Sequence, residues 1–227
     1  MAGILNNKYN DNRKRRIDYL YRLNRRTFEA RKIIEKHFDK SAYLKLNCLD
    51  VGTADGLMLS RLNKFFQFNK AIGIDLSEEL IKTNEDSNIE LKIGDAENLN
   101  FDDNAFDIII ACAVIEHVDD HRKMLRECFR TLKKNGILII TTPNPFHDKI
   151  AMKTGYLRES NHVETFTLPR LTALLQTHNF KIVSSKYFMF FPFFKLPFEQ
   201  RIESLIRFIG LEKIMPNQMI VGEKTNS

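Results

Sequence analysis

Cysteine is scarce in this chain: Cys48, Cys112 and Cys128 are the only three, and they make no CxxC pair. That argues against a disulfide framework and makes a reducing, cytoplasmic setting the default expectation. No run of 18 apolar residues occurs, so no transmembrane helix is expected. The first 16 residues are polar and then basic, without an apolar core, so no secretory signal is expected either. Repeats and low-complexity tracts are missing. Glycine is also short where a dinucleotide fingerprint would need it. Residues 49–56 read Leu-Asp-Val-Gly-Thr-Ala-Asp-Gly, with Ala54 between Gly52 and Gly56 in place of G-x-G-x-x-G.

What is present fits one soluble globular unit. The length of 227 residues, with 43% hydrophobic and 28% charged residues, suits a single α/β domain with additions. Charge is unevenly placed. Residues 1–40 carry 12 Lys/Arg against 5 Asp/Glu, a net +7, and the other 187 carry 23 against 24, a net −1. This divides the chain into a basic N-terminal helical arm, 1–40, and a domain over 41–227. The arm's cations suit phosphate, anionic lipid head groups or an acidic substrate, and equally a solvated helix face.

Apolar spacing predicts a helix over 17–38, a buried strand over 46–51, a helix over 56–66 and a strand over 71–75. Ser77 with Glu78 and Glu79 behind it marks a helix start. Further strands are expected at 89–93, 106–113 and 137–141. A helix is expected over 119–132, closed by the cations and glycine of residues 133–136. A helix over 168–177 and strands at 181–187 and 218–224 complete the reading. Alternating strands and helices specify a doubly wound α/β fold, a mostly parallel Rossmann-like sheet with helices on both faces. Two long connections, 143–169 and 188–217, are expected to carry specificity.

Three strands end in acids. Asp50 stands two residues before Gly52, where a pyrophosphate on the helix start would be repelled. A cationic, phosphate-free adenosine donor would be attracted. Asp75 ends the second strand, where a carboxylate can accept both ribose hydroxyls. Asp95, in Gly94-Asp95-Ala96-Glu97, follows the third strand and can accept from an adenine amino group. Each acid alone is also a common strand end or helix cap.

The motifs LDVGTADG (49–56), IGIDLS (72–77), IGDAENLNFDDNAFDIIIACAVIEHV (93–118), LKKNGILIITTPNP (132–145) and HVETFTLPRLTALLQTHNF (162–180) together resemble class I S-adenosylmethionine (SAM)-dependent methyltransferases. The resemblance is to the ubiquinone-biosynthesis-like, type 11 subgroup, and spans about residues 45–180. It implies a seven-stranded sheet with the last strand antiparallel. It implies SAM as cofactor, S-adenosylhomocysteine as its product, and contacts at Asp50, Gly52, Gly56, Asp75, Asp95, Ala96 and Ala111. Thr53, Leu76 and Glu97 flank those positions and join the expected set. Ala54 departs from the family's usual glycine, and alanine takes glycine's backbone angles only at a cost.

Methyl transfer from a sulfonium needs alignment and a deprotonated nucleophile, with a general base useful for hydroxyl acceptors. His117, after the fourth strand, resembles the family's Glu-His at that place, and it also reads as a helix-start residue holding the loop. His162 precedes the helix expected to cap the cleft, beside Glu164. These two histidines are the candidate catalytic residues. A metal site of His147, His162 and Glu164 has no recognised ligand spacing, and no metal is expected. Nucleic-acid acceptors are disfavoured: the fourth strand lacks the Asn/Asp-Pro-Pro-Tyr turn of base-amino methyltransferases, and no cysteine follows a proline.

Residues 187–198 hold six phenylalanines, followed by Ile202, Leu205, Ile206 and Ile209 at helical spacing. Core or homodimer contact is one reading, and a hydrophobic lid meeting a lipid-like acceptor or a membrane surface is the sharper one. The expected activity is methyl transfer to a small-molecule or lipid-linked acceptor, at oxygen. A SAM-binding relative without turnover and an RNA methyltransferase using the basic arm are the alternatives. An NAD oxidoreductase is disfavoured by Asp50.

Overall fold

A computed structural model gives the fold of residues 17–147 and 163–225. The chain forms helix α1 (Ile17–His37), strand β1 (Asn47–Val51), α2 (Leu57–Phe66), β2 (Lys70–Asp75), the single turn α3 (Glu78–Ile81) and β3 (Glu90–Ile93). Then come β4 (Phe106–Cys112), α4 (His121–Thr131), β5 (Leu132–Pro143), α5 (Leu168–Thr177), β6 (Phe180–Phe188), α6 (Glu199–Phe208) and β7 (Asn217–Lys224). One seven-stranded sheet has the order β3-β2-β1-β4-β5-β7-β6. Neighbours from β3 to β5 pair in parallel, and β7 runs antiparallel to both β5 and β6. This is the doubly wound Rossmann-like sheet with its last strand reversed.

The central strands are buried on both faces, whereas the edge strand β3 is largely exposed, and side-chain alternation divides the core in two. Leu49, Val51, Ile109, Ala111, Leu138 and Ile140 point to one face and pack under α4 and α5 through Leu125, Cys128, Leu171 and Leu175. Cys48, Ile108, Ile110, Ile137 and Ile139 point to the other face, under Ala30 and Ile34 of α1 and Leu59 and Leu62 of α2. Helix α1 from Ile17 onward therefore contributes to the core. Residues 1–16 of the basic arm lie outside the described residues.

Two boundaries differ from expectation. Helix α4 starts at His121, where Asp120 caps it by accepting from the N–H groups of Arg122 and Lys123, and ends at Thr131, where Leu132 turns extended. The run after it is not a helix exit but the start of β5. Asn135 does take the left-handed conformation, at φ 61°. Gly136 is required by close approach instead: a Cβ there would lie 2.9 Å from the carbonyl oxygen of Asp107 in β4. In the long C-terminal connection, residues 199–208 form α6, matching the helical spacing of its apolar residues.

The candidate cofactor cleft and the C-terminal groove

The four strands β3, β2, β1 and β4 are adjacent and parallel, so their carboxyl ends open at one edge of the sheet. Residues 52–56 turn there. Gly52 (φ 67°), Ala54 (φ 55°) and Gly56 (φ 73°) all take left-handed backbone. A Cβ on Gly52 would stand 2.3 Å from Cγ2 of Val114, in the β4 exit loop. The turn is drawn onto β2: the Thr53 N–H donates to the Ile74 carbonyl at 2.9 Å, and the Ala54 N–H donates to Asp75 Oδ2 at 2.8 Å. Left-handed alanine costs about 1 kcal/mol, which the charge-assisted bond to Asp75 offsets.

Each acid is placed. Asp50 is buried, and its Oδ2 accepts from Thr53 Oγ1 at 2.8 Å. Asp75 uses one oxygen for the Ala54 N–H and the other for the Ser77 N–H, at 2.9 Å. Its carboxylate plane is thereby fixed, and each oxygen keeps acceptor capacity. Ser77 caps α3 as expected, accepting from the Leu80 N–H at 3.3 Å. Leu76 is half exposed beside Asp75. Asp95 is exposed and accepts from the Glu97 N–H at 2.8 Å, with Ala96 buried beneath it. Glu97 reaches across to accept from the Asp120 N–H at 2.8 Å, which braces the start of α4 against the β3 exit. Ala111 is fully buried between Val51 and Ile140, near the end of β4.

His117 lies in the turn after β4, half buried, with its N–H donating to the Val114 carbonyl at 2.8 Å. His162 lies outside the described residues. The Val163 and Glu164 N–H groups both donate to the Glu116 carbonyl, so the chain returns to this edge directly after 162. Glu164 binds His121 Nδ1 at 3.1 Å and also Arg170. Its carboxylate therefore braces α4 against α5. Burial pushes the Cys112 and Cys128 thiols up to about 12 and also raises Cys48 well above its ordinary value, so none of the three is a ready nucleophile.

Two features had no local signal in the sequence. Asn144, just past β5, donates through Nδ2 to the carbonyls of Lys213 (2.7 Å) and Met215 (2.9 Å), tying the β5 exit to the C-terminal segment. On the α1 side, Arg25 is buried among Glu29 (3.1 Å), Glu199 (3.3 Å) and Glu203 (2.9 Å). Tyr21 donates to Glu199, Lys186 pairs with Glu29, and Glu203 also accepts from the Met189 and Phe190 N–H groups. Burial pulls the Arg25 guanidinium down, but the three carboxylates more than offset this and hold it above its usual value. Burial likewise raises the Glu199 carboxyl.

Between α1 and residues 194–201 opens a groove of about 760 Å³, lined by Ile17, Leu20, Phe28, Phe194, Leu196 and Phe198 among others. Phe188 and Met189 are buried in the core of the sheet, while Phe194 and Phe198 are exposed at this groove.

A family model for the methyltransferase domain matches residues 10–185. The chain belongs to the methyltransferase-domain family. Membership carries SAM as cofactor, and the site fits it: a turn with no room for a Cβ at Gly52, beside strand-end carboxylates. Among similar proteins is a demethylmenaquinone methyltransferase of Staphylococcus haemolyticus, 35% identical over 123 residues, covering 50% of this chain and 51% of that protein. A mitochondrial ubiquinone biosynthesis O-methyltransferase of Bos taurus is 29% identical over 170 residues, covering 65% and 45%. The chain thus spans about half the length of the curated relatives it matches. The crystal structure of YcgJ from Bacillus subtilis superposes with a TM-score of 0.63 at 19% identity, covering 88% of this chain and 98% of that one. That likeness shows the fold.

Proposed function

We propose that the protein transfers a methyl group from SAM to the oxygen of a small, apolar or lipid-linked acceptor. The observation that carries this is the placement of Asp50, Asp75 and Asp95 at the carboxyl ends of β1, β2 and β3 on one sheet edge, the first two bonded to the turn at residues 52–56. In this reading Asp75 holds the ribose hydroxyls and Asp95 the adenine amino group. Leu76 and Ala96 bound the base, and Glu97 keeps the β3 exit in place. Asp50, set through Thr53, supplies negative charge near the amino and sulfonium end. Gly52 and Gly56 give the backbone its close approach, and Ala111 leaves room at the β4 exit. The bound cofactor supplies a methyl group on a cationic leaving group, so alignment is the protein's main task. His117 is the proposed base or acceptor-positioning group for a hydroxyl, with His162 as the second candidate.

The apolar acceptor class is supported by the groove against α1, and by relatives named for demethylmenaquinone and ubiquinone biosynthesis. The reading extends to peripheral membrane contact by the basic arm and the C-terminal segment. Homodimer contact and a cytoplasmic setting remain compatible with it. Among the described residues, no helix is long and apolar enough to cross a membrane.

The test is incubation with methyl-labelled SAM and an organic-solvent extract of cells. Label is expected in the extract as an ether or ester, and His117→Ala is expected to lower turnover about 100-fold while leaving cofactor affinity unchanged. Label found only in RNA or protein, or cofactor bound with no transfer to any fraction, would contradict the reading.

A further inference from the structure

We infer that the outer side of α6, with the segment that follows it, docks on an anionic lipid bilayer. This deepens the proposed function and rests on it only for its purpose, the approach to a lipid-linked acceptor. The geometry stands by itself. Helical spacing puts Arg201, Leu205 and Phe208 on one stripe, opposite Glu199, Glu203 and Ile206, which are buried. Phe208 is 88% exposed, Phe198 71% and Leu205 61%, and Ile209, Leu211 and Ile214 extend the patch. Exposed apolar side chains so concentrated mark a surface that meets something.

The charges on this stretch identify the partner. Both acids of α6 turn inward to Arg25. The exposed charges from 194 to 214 are Lys195, Arg201 and Lys213, all cations, with Arg207 and Glu212 half buried. Apolar side chains interleaved with outward cations are the composition of an interfacial helix on anionic lipid. Two copies of this face brought together by two-fold symmetry would oppose like charges, which disfavours self-association. Ile17, the first residue of α1, lines the groove beside Phe194 and Phe198 and adds a further exposed apolar side chain next to this face.

The experiment is sedimentation of the full chain with phosphatidylcholine vesicles and with vesicles containing about 30% phosphatidylglycerol, at about 0.1 M salt. The protein is expected to pellet with the anionic vesicles at least about tenfold better than with the neutral ones. Phe208→Ser is expected to lower that partition about tenfold, and Arg201→Gln and Lys213→Gln about fivefold each. Phe208 has almost no packing to lose, so its variant remains folded. Absence of pelleting, or equal pelleting with both vesicles, would overturn the inference. So would a dimer in light scattering that Phe208→Ser dissolves. S-adenosylhomocysteine binding is measured on the same samples. Intact binding without vesicle association removes the docking surface alone, whereas lost binding removes the enzyme reading.

Discussion

Arg25→Ala is expected to destabilise the protein by about 3–5 kcal/mol, because it leaves Glu29, Glu199 and Glu203 buried without their shared cation. For a chain of this size that lowers Tm by roughly 10 °C or more. Lys186 still faces Glu29, so the uncompensated charge falls on Glu199 and Glu203. The pH dependence has a definite sign. Burial already raises the Glu199 carboxyl above its ordinary 4.5, and losing Arg25 raises it further. A carboxyl whose pKa is raised on folding binds extra protons in the folded state. Stability is therefore retained below about pH 4.5 and lost as pH rises through the raised value. Urea unfolding should show the Arg25→Ala deficit shrinking toward acid pH. The triple change Arg25→Met, Glu199→Gln, Glu203→Gln is expected to recover much of the loss, since no uncompensated charge then remains at α6. A deficit under 1 kcal/mol, or one that grows toward acid pH, would show that this network does not hold α1 to α6.

Gly52→Ala is the change with the largest expected effect on the cleft. The new methyl would sit 2.3 Å from Val114 Cγ2, and the backbone stands at φ 67°. The turn or the β4 exit must then move. Stability is expected to fall by about 2–4 kcal/mol and affinity for S-adenosylhomocysteine by at least about 30-fold. Adding Val114→Ala is expected to remove the clash and return part of the stability, leaving about 1 kcal/mol of left-handed strain. Ala54 supports this division. It is already an alanine at φ 55°, held by the bond to Asp75, so conformation alone does not forbid a side chain in this turn. The close neighbour does. Calorimetric titration and thermal melting of the single and double variants separate the two terms.

Much of the fold is legible because its signals are local. Apolar runs bounded by Gly or Asp mark β1, β2 and β4, and Ser77 announces α3 two residues after Asp75. The parallel order follows from the alternation of strand and helix, although β3 and β4 are joined without one. The acids at the cleft are legible for the same reason, since each stands within two residues of its strand's carboxyl end. Residues 133–136 show where local reading becomes ambiguous. Cations followed by Asn-Gly suit a helix exit and also suit a strand whose Gly136 presses on the Asp107 carbonyl. Only the β4–β5 pairing decides between them, together with the ion pair of Lys133 and Asp107 at 2.7 Å. The bracket at Asn144 and the cluster at Arg25 had no sequence signature. Apart from Glu29, one turn along α1 from Arg25, their partners lie about 70 and 180 residues away, and nothing periodic links those. The groove beside α1 is of the same kind. The phenylalanine run was conspicuous, but which rings enter the core and which face outward depends on α1 packing across from them.

The central claim is that an edge of strand-end carboxylates holds an adenosine donor without phosphates. Titration calorimetry with S-adenosylhomocysteine, on the unaltered protein and on Asp75→Ala, tests it most directly, with melting curves to confirm that both are folded. Binding of S-adenosylhomocysteine and none of NADH is expected, with Asp75→Ala weakening the former about 10–100-fold through unpaired ribose hydroxyls. No heat with S-adenosylhomocysteine, or an affinity indifferent to Asp75, would contradict the account.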